Sequence, residues 1–420
     1  MTQRSFFRAC VFLSAYACRS IAGAQEIPAA VALADERAAR AEDTQSVVAS
    51  PPGRMARAFS WAESKVDAGS QSRDGFYPEF GGLIGGSGLS VGPGYRHRVF
   101  GDRAVVDVSG ALSSSASKMM QSQLGWRGLF SDRLAVGAQV KYQDFTQINF
   151  FGLGGDSLKS RQADYRLTDL DVMGFGTLRA NRWLTVSGRV GLLRSVDIKR
   201  GTSALHPSIG DEFSEITAPG LTSQPGYLHA DVAVDLDTRD VPGHPASGGR
   251  YRFSIATYRD QDFSHYSFRR FNSDAAQYVP LFKRSVLALR GRVDLSQSGD
   301  GQDVPFYLLP ALGGPTSLRG YDHYRFRDRD ALLLNAEYVW PILRALDGAL
   351  FYDAGTVAPR VAALSMHHLH KDYGVGLRLH SARHMITRFD VARSHEGTRA
   401  WLTFTAPLGP PSRIVVPYVP

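Results

Sequence analysis

From about Gly75 onward the chain alternates apolar and polar residues with a period of two, and the pattern recurs in segment after segment. Leu134, Val136, Ala138, Val140 and Tyr142 fall on one face, with Gln139, Lys141 and Gln143 on the other. Leu228, Ala230, Val232, Val234 and Leu236 alternate with His229, Asp231, Asp235 and Asp237; Leu287, Leu289, Val293 and Leu295 alternate with Arg290, Arg292 and Asp294. One such strand is also what a soluble sandwich shows. Here charged residues return to the same face across many segments, while the apolar face is long and often ends in Tyr, Trp or Phe. That arrangement places lipid outside, water inside and aromatic girdles at the two interfaces. The pattern predicts an all-β chain forming a transmembrane antiparallel β-barrel over residues 75–406.

Fifteen segments can be marked, beginning near Gly86, Ala104, Lys118, Leu134, Asp164, Leu184, Tyr227, Gly248, Ser267, Ser285, Ala331, Gly348, Asp372, Met385 and Arg399. A bacterial single-chain barrel closes with an even number of strands. Sixteen is therefore the expected count, with the unmarked strand in Phe76–Arg96 or near Val304–Leu309.

The N-terminus carries Arg4 and Arg8, then the apolar run Ala9–Ala17, then Ala22-Gly23-Ala24 at the positions a signal peptidase reads. Residues 1–24 are expected to be a signal peptide, the apolar run being too short to span a bilayer as a helix, which takes about 20 residues. The rival is a lipoprotein signal acylated at Cys18, with Ala15 and Tyr16 a poor fit to such a site. Both cysteines, Cys10 and Cys18, fall inside this leader, so no disulfide is available to the mature chain. A closed barrel, with every backbone group paired, supplies stability without one. Residues 25–74 read as a short helical or linker segment, Pro28–Asp43 being rich in Ala, Glu and Arg and Pro51-Pro52-Gly53 breaking it. The segment is a lead-in, or a helix that lodges in the barrel or docks beneath it. Residues 407–420 form a Pro-rich tail.

Composition agrees. The 42 glycines, 23 phenylalanines and 17 tyrosines suit strands and turns. A mean hydropathy of −0.19 is what alternating faces average to, and says nothing against a barrel. The formal net charge is +8 without a clustered Lys/Arg stripe, so nucleic acid is not an expected partner.

Residues 311–321 read Ala-Leu-Gly-Gly-Pro-Thr-Ser-Leu-Arg-Gly-Tyr; residues 332–341 read Leu-Leu-Leu-Asn-Ala-Glu-Tyr-Val-Trp-Pro; residues 351–355 read Phe-Tyr-Asp-Ala-Gly. In this order the three stretches resemble the bacterial surface-antigen superfamily, outer-membrane assembly and translocation proteins of BamA/TamA type. Further family-like stretches are 150–157 (Phe-Phe-Gly-Leu-Gly-Gly-Asp-Ser), 237–240 (Asp-Thr-Arg-Asp) with Pro242, Pro245 and Gly249, 373–378 (Tyr-Gly-Val-Gly-Leu-Arg) and 388–392 (Arg-Phe-Asp-Val-Ala). The resemblance covers residues 75–406 and implies a loop, Leu318, Arg319, Gly320 and Tyr321, that folds back into the lumen so that its guanidinium meets acidic groups on the inner wall. Strand parity puts Glu337 on the face of Asn335, and Asp353 on the face of Phe351 and Gly355, so the implied partners of Arg319 are Glu337 and Asp353. One fork can serve two carboxylates. Gly320 is expected to let the loop turn tightly and Tyr321 to anchor it. The plainer alternative leaves Arg319 as a charged loop residue in water.

Other chemistry is sparse. His367, His368 and His370 lack acidic or Cys partners at ligand spacing and read as a solvated loop. No Gly-x-Ser-x-Gly elbow occurs. Gly85-Gly86-Ser87-Gly88 has no helix behind it, so it reads as a bend rather than a phosphate loop. The 237–240 stretch reads as a charge cluster in a short periplasmic turn. No catalytic residues, metal or cofactor are expected.

The family usually carries periplasmic POTRA domains, each longer than 25–74, so a barrel-only member is expected. Its location is the Gram-negative outer membrane, with lipids as its surroundings and a polypeptide client or a separately encoded periplasmic protein as partner. Insertion or translocation of polypeptide through lateral opening between first and last strands is the implied activity. The rival is a passive pore that favours anions if Arg290, Arg292 and Arg378 face its lumen.

Overall fold

A computed structural model describes residues 74–81, 83–381 and 385–404. The expected signal peptide, nearly all of the 25–74 segment and the Pro-rich tail lie outside the described residues.

Sixteen antiparallel strands form one sheet. They are β1 (Gly75–Gly81), β2 (Ser90–Val99), β3 (Ala104–Ser113), β4 (Lys118–Leu129), β5 (Leu134–Phe150), β6 (Ala163–Arg179), β7 (Leu184–Arg200) and β8 (Tyr227–Asp237). The remainder are β9 (Gly248–Asp260), β10 (Phe268–Pro280), β11 (Val286–Ser298), β14 (Asp330–Leu343), β15 (Leu346–Ala358), β16 (His370–His380), β17 (Met385–Ser394) and β18 (Gly397–Thr403). A separate two-residue ladder, β12 (Ala311–Leu312) with β13 (Phe326–Arg327), sits inside the loop between β11 and β14. Each strand of the large sheet pairs with its neighbour in the chain, and among the described residues no ladder joins β1 to β18. No helix of the described residues is long and apolar enough to cross a membrane.

The strand missed by periodicity lies in Phe76–Arg96, which holds β1, a bend and β2. Its alternation is broken by Pro78, Pro93 and the glycines between, whereas Phe306–Leu308 forms only a 3-10 turn. Gly86 and Gly88 take the positive φ that the bend needs.

The two faces of the sheet invert the soluble rule. On β11, Ala288, Arg290 and Asp294 are buried while Leu289 is 43% exposed. Val140, Val172, Val232, Ile255, Leu350 and Val375 likewise lie on the outside, as a lipid-facing surface requires. Connections 100–103, 130–133, 180–183 and 344–345 are short and share one end of the barrel; 201–226 and 299–329, at the other end, are long. In outer-membrane barrels the short turns are periplasmic and the long loops extracellular. The long loops cover an aromatic cluster that includes Phe150, Tyr165, Phe213, Tyr227, Phe268 and Phe306.

Candidate functional site

The loop between β11 and β14 turns inward at Gly313 and Gly314, whose φ angles of +115° and +95° favour glycine. Gly314 N–H then donates to the carbonyls of Leu318 (3.1 Å) and Tyr321 (3.2 Å), and Gly313 N–H to Ser317 Oγ at 2.9 Å. These bonds close a tight knuckle with Arg319 at its tip. Leu318 and Tyr321 are buried in a small core with Leu312, Phe326, Leu333 and Val357. The tip is thus held by apolar packing on both flanks before any charge is paired.

Arg319 is 2% exposed. Its Nε donates to Asp353 Oδ2 at 2.7 Å and Nη2 to Asp353 Oδ1 at 2.8 Å, a bidentate pair on β15. Nη1 donates to Glu337 Oε2 on β14 at 2.6 Å. The guanidinium carbon lies 3.5 Å from the Phe351 ring centroid, so while its in-plane N–H groups hold the carboxylates one of its flat faces meets an aromatic surface. Asn335 Nδ2 donates to Asp353 Oδ1 (2.8 Å) and to the Ser317 carbonyl (3.0 Å), tying wall and loop together.

The ionic cluster extends beyond Arg319, Glu337 and Asp353. Arg378 on β16 bridges Glu337 (Nε to Oε1, 3.0 Å) and Asp390 on β17 (Nη1 to Oδ1, 2.6 Å). Arg388 reaches Asp390 at 3.4 Å and the Pro315 carbonyl of the loop. Trp401 Nε1 on β18 donates to the Arg319 carbonyl at 2.6 Å, and Ser394 Oγ to the Gly320 carbonyl at 2.8 Å. Tyr321 Oη donates to the Lys371 carbonyl (3.2 Å) and lies 3.0 Å from His395 Nδ1. The loop thereby touches β14 through β18, the five strands that run up to the seam. The family-like stretches at 373–378 and 388–392 contain Arg378, Arg388 and Asp390; Arg378 is expected in the lumen only under the pore alternative, and strand parity marks Arg388 and Asp390 as inward-facing too.

Gly320 has a different role from the expected one. Its φ is ordinary, and a Cβ there would come within 2.5 Å of Asp372 Cβ and 2.9 Å of Ser394 Cβ. The glycine permits the loop to lie against the wall; the turning is done by Gly313 and Gly314. Asp372, buried opposite Asp353 in the β15–β16 ladder, has neither carboxylate oxygen hydrogen-bonded. His370 also departs from the solvated-loop expectation. It opens β16 and stacks on Phe326 at 3.7 Å between centroids, whereas His367 and His368 are exposed. In the 237–240 turn, Arg239 chelates its own neighbour Asp237 (2.6 and 2.8 Å), and Asp240 Oδ1 accepts from the N–H groups of Val241, Ala246 and Ser247. That charge cluster is satisfied within the turn.

A sheet with lipid outside, charge inside and one of its own loops bound across the lumen defines an outer-membrane β-barrel with a built-in luminal element. Residues 227–403 match the Omp85 superfamily domain. Among solved structures, the barrel resembles BamA from Haemophilus ducreyi lacking POTRA domains 1–3, with a TM-score of 0.58, 17% identity, and 80% of this chain and 70% of that one covered. CdiB from Acinetobacter baumannii aligns with a TM-score of 0.47 and 12% identity over 78% of this chain and 57% of the other. No curated protein shows significant similarity to the chain.

Proposed function

We propose that this barrel takes part in inserting or translocating polypeptide at the outer membrane, using the seam between β1 and β18 as the place of opening. The observation that carries the reading is the asymmetry of the loop. Arg319 binds Glu337 and Asp353, and its neighbours bind β16, β17 and β18, so the C-terminal side of the seam is braced from within. β1 is only seven residues long and has no ladder to β18 among the described residues. A rigid jamb facing a short, unpaired edge suits a door that opens sideways. The family resemblance points to the same activity and to a polypeptide client or a separately encoded periplasmic partner.

The anion-favouring pore has less support. Arg290 is paired with Asp274 (2.6 Å), Arg292 with Asp294 (2.7 Å) and Arg378 with Glu337 and Asp390. Paired charges of opposite sign leave little field to select anions.

The test is depletion of the protein in its host, followed by quantification of other outer-membrane barrels and of secreted polypeptides. A fall in either supports the proposal. Unchanged levels, together with a steady large conductance in planar bilayers that Arg319→Ala does not alter, would overturn it. In parallel, Phe76→Cys with Leu402→Cys places thiols at the periplasmic ends of β1 and β18. Oxidising that pair is expected to block activity and reduction to restore it.

A further inference from the structure

At the short-turn end of the barrel, His244, Asp347 and His380 come together from three places far apart in the chain. His244 lies in the turn between β8 and β9, Asp347 near the start of β15 and His380 at the end of β16. The turn that carries His244 reaches away from its own strands, and Met385 N–H, at the start of β17, donates to the Gly243 carbonyl at 3.1 Å. The two imidazoles stack in parallel, 3.8 Å between centroids and 9° between planes. Both present Nε2 to the same carboxylate oxygen: His244 Nε2 is 3.0 Å and His380 Nε2 is 3.2 Å from Asp347 Oδ2. One donor atom from each residue falls within 4.8 Å of the others.

The hydrogen bonds specify the tautomer of one ring. His380 Nδ1 is 2.9 Å from the Ser381 carbonyl, which can only accept, so Nδ1 carries the hydrogen. In the neutral ring Nε2 then holds a lone pair. That nitrogen is buried 3.2 Å from the Asp347 carboxylate oxygen. Two acceptors facing each other at this distance repel, and a proton or a metal ion between them removes the repulsion. A backbone carbonyl fixing the far nitrogen is also the outer-shell arrangement that orients a metal-ligating histidine.

We propose that His244, Asp347 and His380 bind a divalent late transition-metal ion such as Zn2+. Two imidazole nitrogens and one carboxylate oxygen suit zinc, copper, nickel or iron rather than magnesium or calcium. Three protein ligands leave a further position for water. The ion fastens the 238–247 turn to β15 and β16 at the short-turn end, beside the Met385–Gly243 backbone bond that ties the same turn to β17.

The test uses the full chain, purified in detergent without a polyhistidine tag and stripped with chelator, and titrated with Zn2+ by calorimetry. One saturable site per chain is expected, weakened at least about tenfold by His244→Ala and by His380→Ala. His367→Ala with His368→Ala should leave it intact. Absence of saturable binding to the wild-type chain, or unchanged binding in the His244→Ala, His380→Ala pair, overturns the proposal. His244 lies outside every strand, so its replacement tests the site without altering a ladder. Should His380→Ala fail to fold, Cu2+ bound to the wild-type chain gives a second readout. Its electron paramagnetic resonance spectrum must show coupling to two imidazole nitrogens, and coupling to one or none counts against the site.

Discussion

Arg319 sits where a truncation is costly in both directions. Arg319→Ala would leave Glu337 and Asp353 buried without their main partner, a loss of about 3–5 kcal/mol for a shielded ion pair. The expected readout is protease cleavage within residues 313–325 and a lowered melting point in detergent. Arg319→Lys should not rescue it, because an ammonium cannot reproduce the fork that grips Asp353 while also reaching Glu337. Gly320→Ala is expected to displace the loop by a different route. Its methyl group would press on Cβ atoms of two strands that cannot yield, costing about 1–3 kcal/mol, and protease sensitivity should rise with every ion-pairing residue still in place. His323, in the same loop, packs against Trp401 at 4.7 Å between centroids. Burial holds its imidazole down to about 4, with the Asp322 charge opposing. The released loop would titrate near 6.5, so the docked form takes up fewer protons. Its advantage is full above pH 6.5 and declines as pH falls from 6.5 towards 4. Loop protection should weaken over that window, and His323→Gln should remove that part of the pH dependence. An identical profile in the variant would refute the assignment.

Among the elements, β1 depends on side chains more than on its ladder. Pro78 faces Pro93 across the β1–β2 pair, removing an amide donor from each strand. Tyr77 compensates: its ring lies over Gly94, and its hydroxyl donates to Asp107 on β3 at 2.7 Å. Tyr77→Phe should remove about 0.5–1.5 kcal/mol and speed amide exchange in 75–81 while leaving β14 and β15 unchanged. The same prolines and glycines made β1 illegible as a strand, because period-two reading needs an uninterrupted alternation. Strands such as β5, β8 and β11 were legible because lumen and lipid impose opposite demands on successive residues. Parity also put Glu337 and Asp353 on the inner face. It could not bring Arg319 to them, since a loop has no period; that pairing came through the family resemblance. The positions of Arg378, Arg388 and Asp390 were open to the same parity reasoning. The meeting of His244 with Asp347 and His380 was not, because nothing local records a turn reaching across a barrel.

For the whole molecule, the arrangement is an occupied barrel rather than an open tube. The loop from 299 to 329 binds the inner wall from β14 to β18, and the other long loops close over aromatic side chains at the end opposite the short turns. Single-channel recordings should therefore show small, flickering currents for the wild-type chain and larger, longer openings for Arg319→Ala. A large, quiet conductance already present in the wild type would contradict an occupied lumen.

The ionic knot around Arg319 also sets an order of events in the barrel's own making. Before the loop arrives, Glu337 and Asp390 already have Arg378 and Arg388 on the wall, whereas Asp353 has to remain hydrated, since a carboxylate stripped of water and partners is expensive inside a bilayer. The inner face of β15 can thus leave water only together with the loop that neutralises Asp353. Because the loop is joined covalently to β11 and β14, it is present as soon as those strands have been made. Loop capture then becomes a checkpoint in biogenesis: a chain whose arginine has not found its carboxylates is held at the water-exposed stage, where quality-control proteases can still reach it.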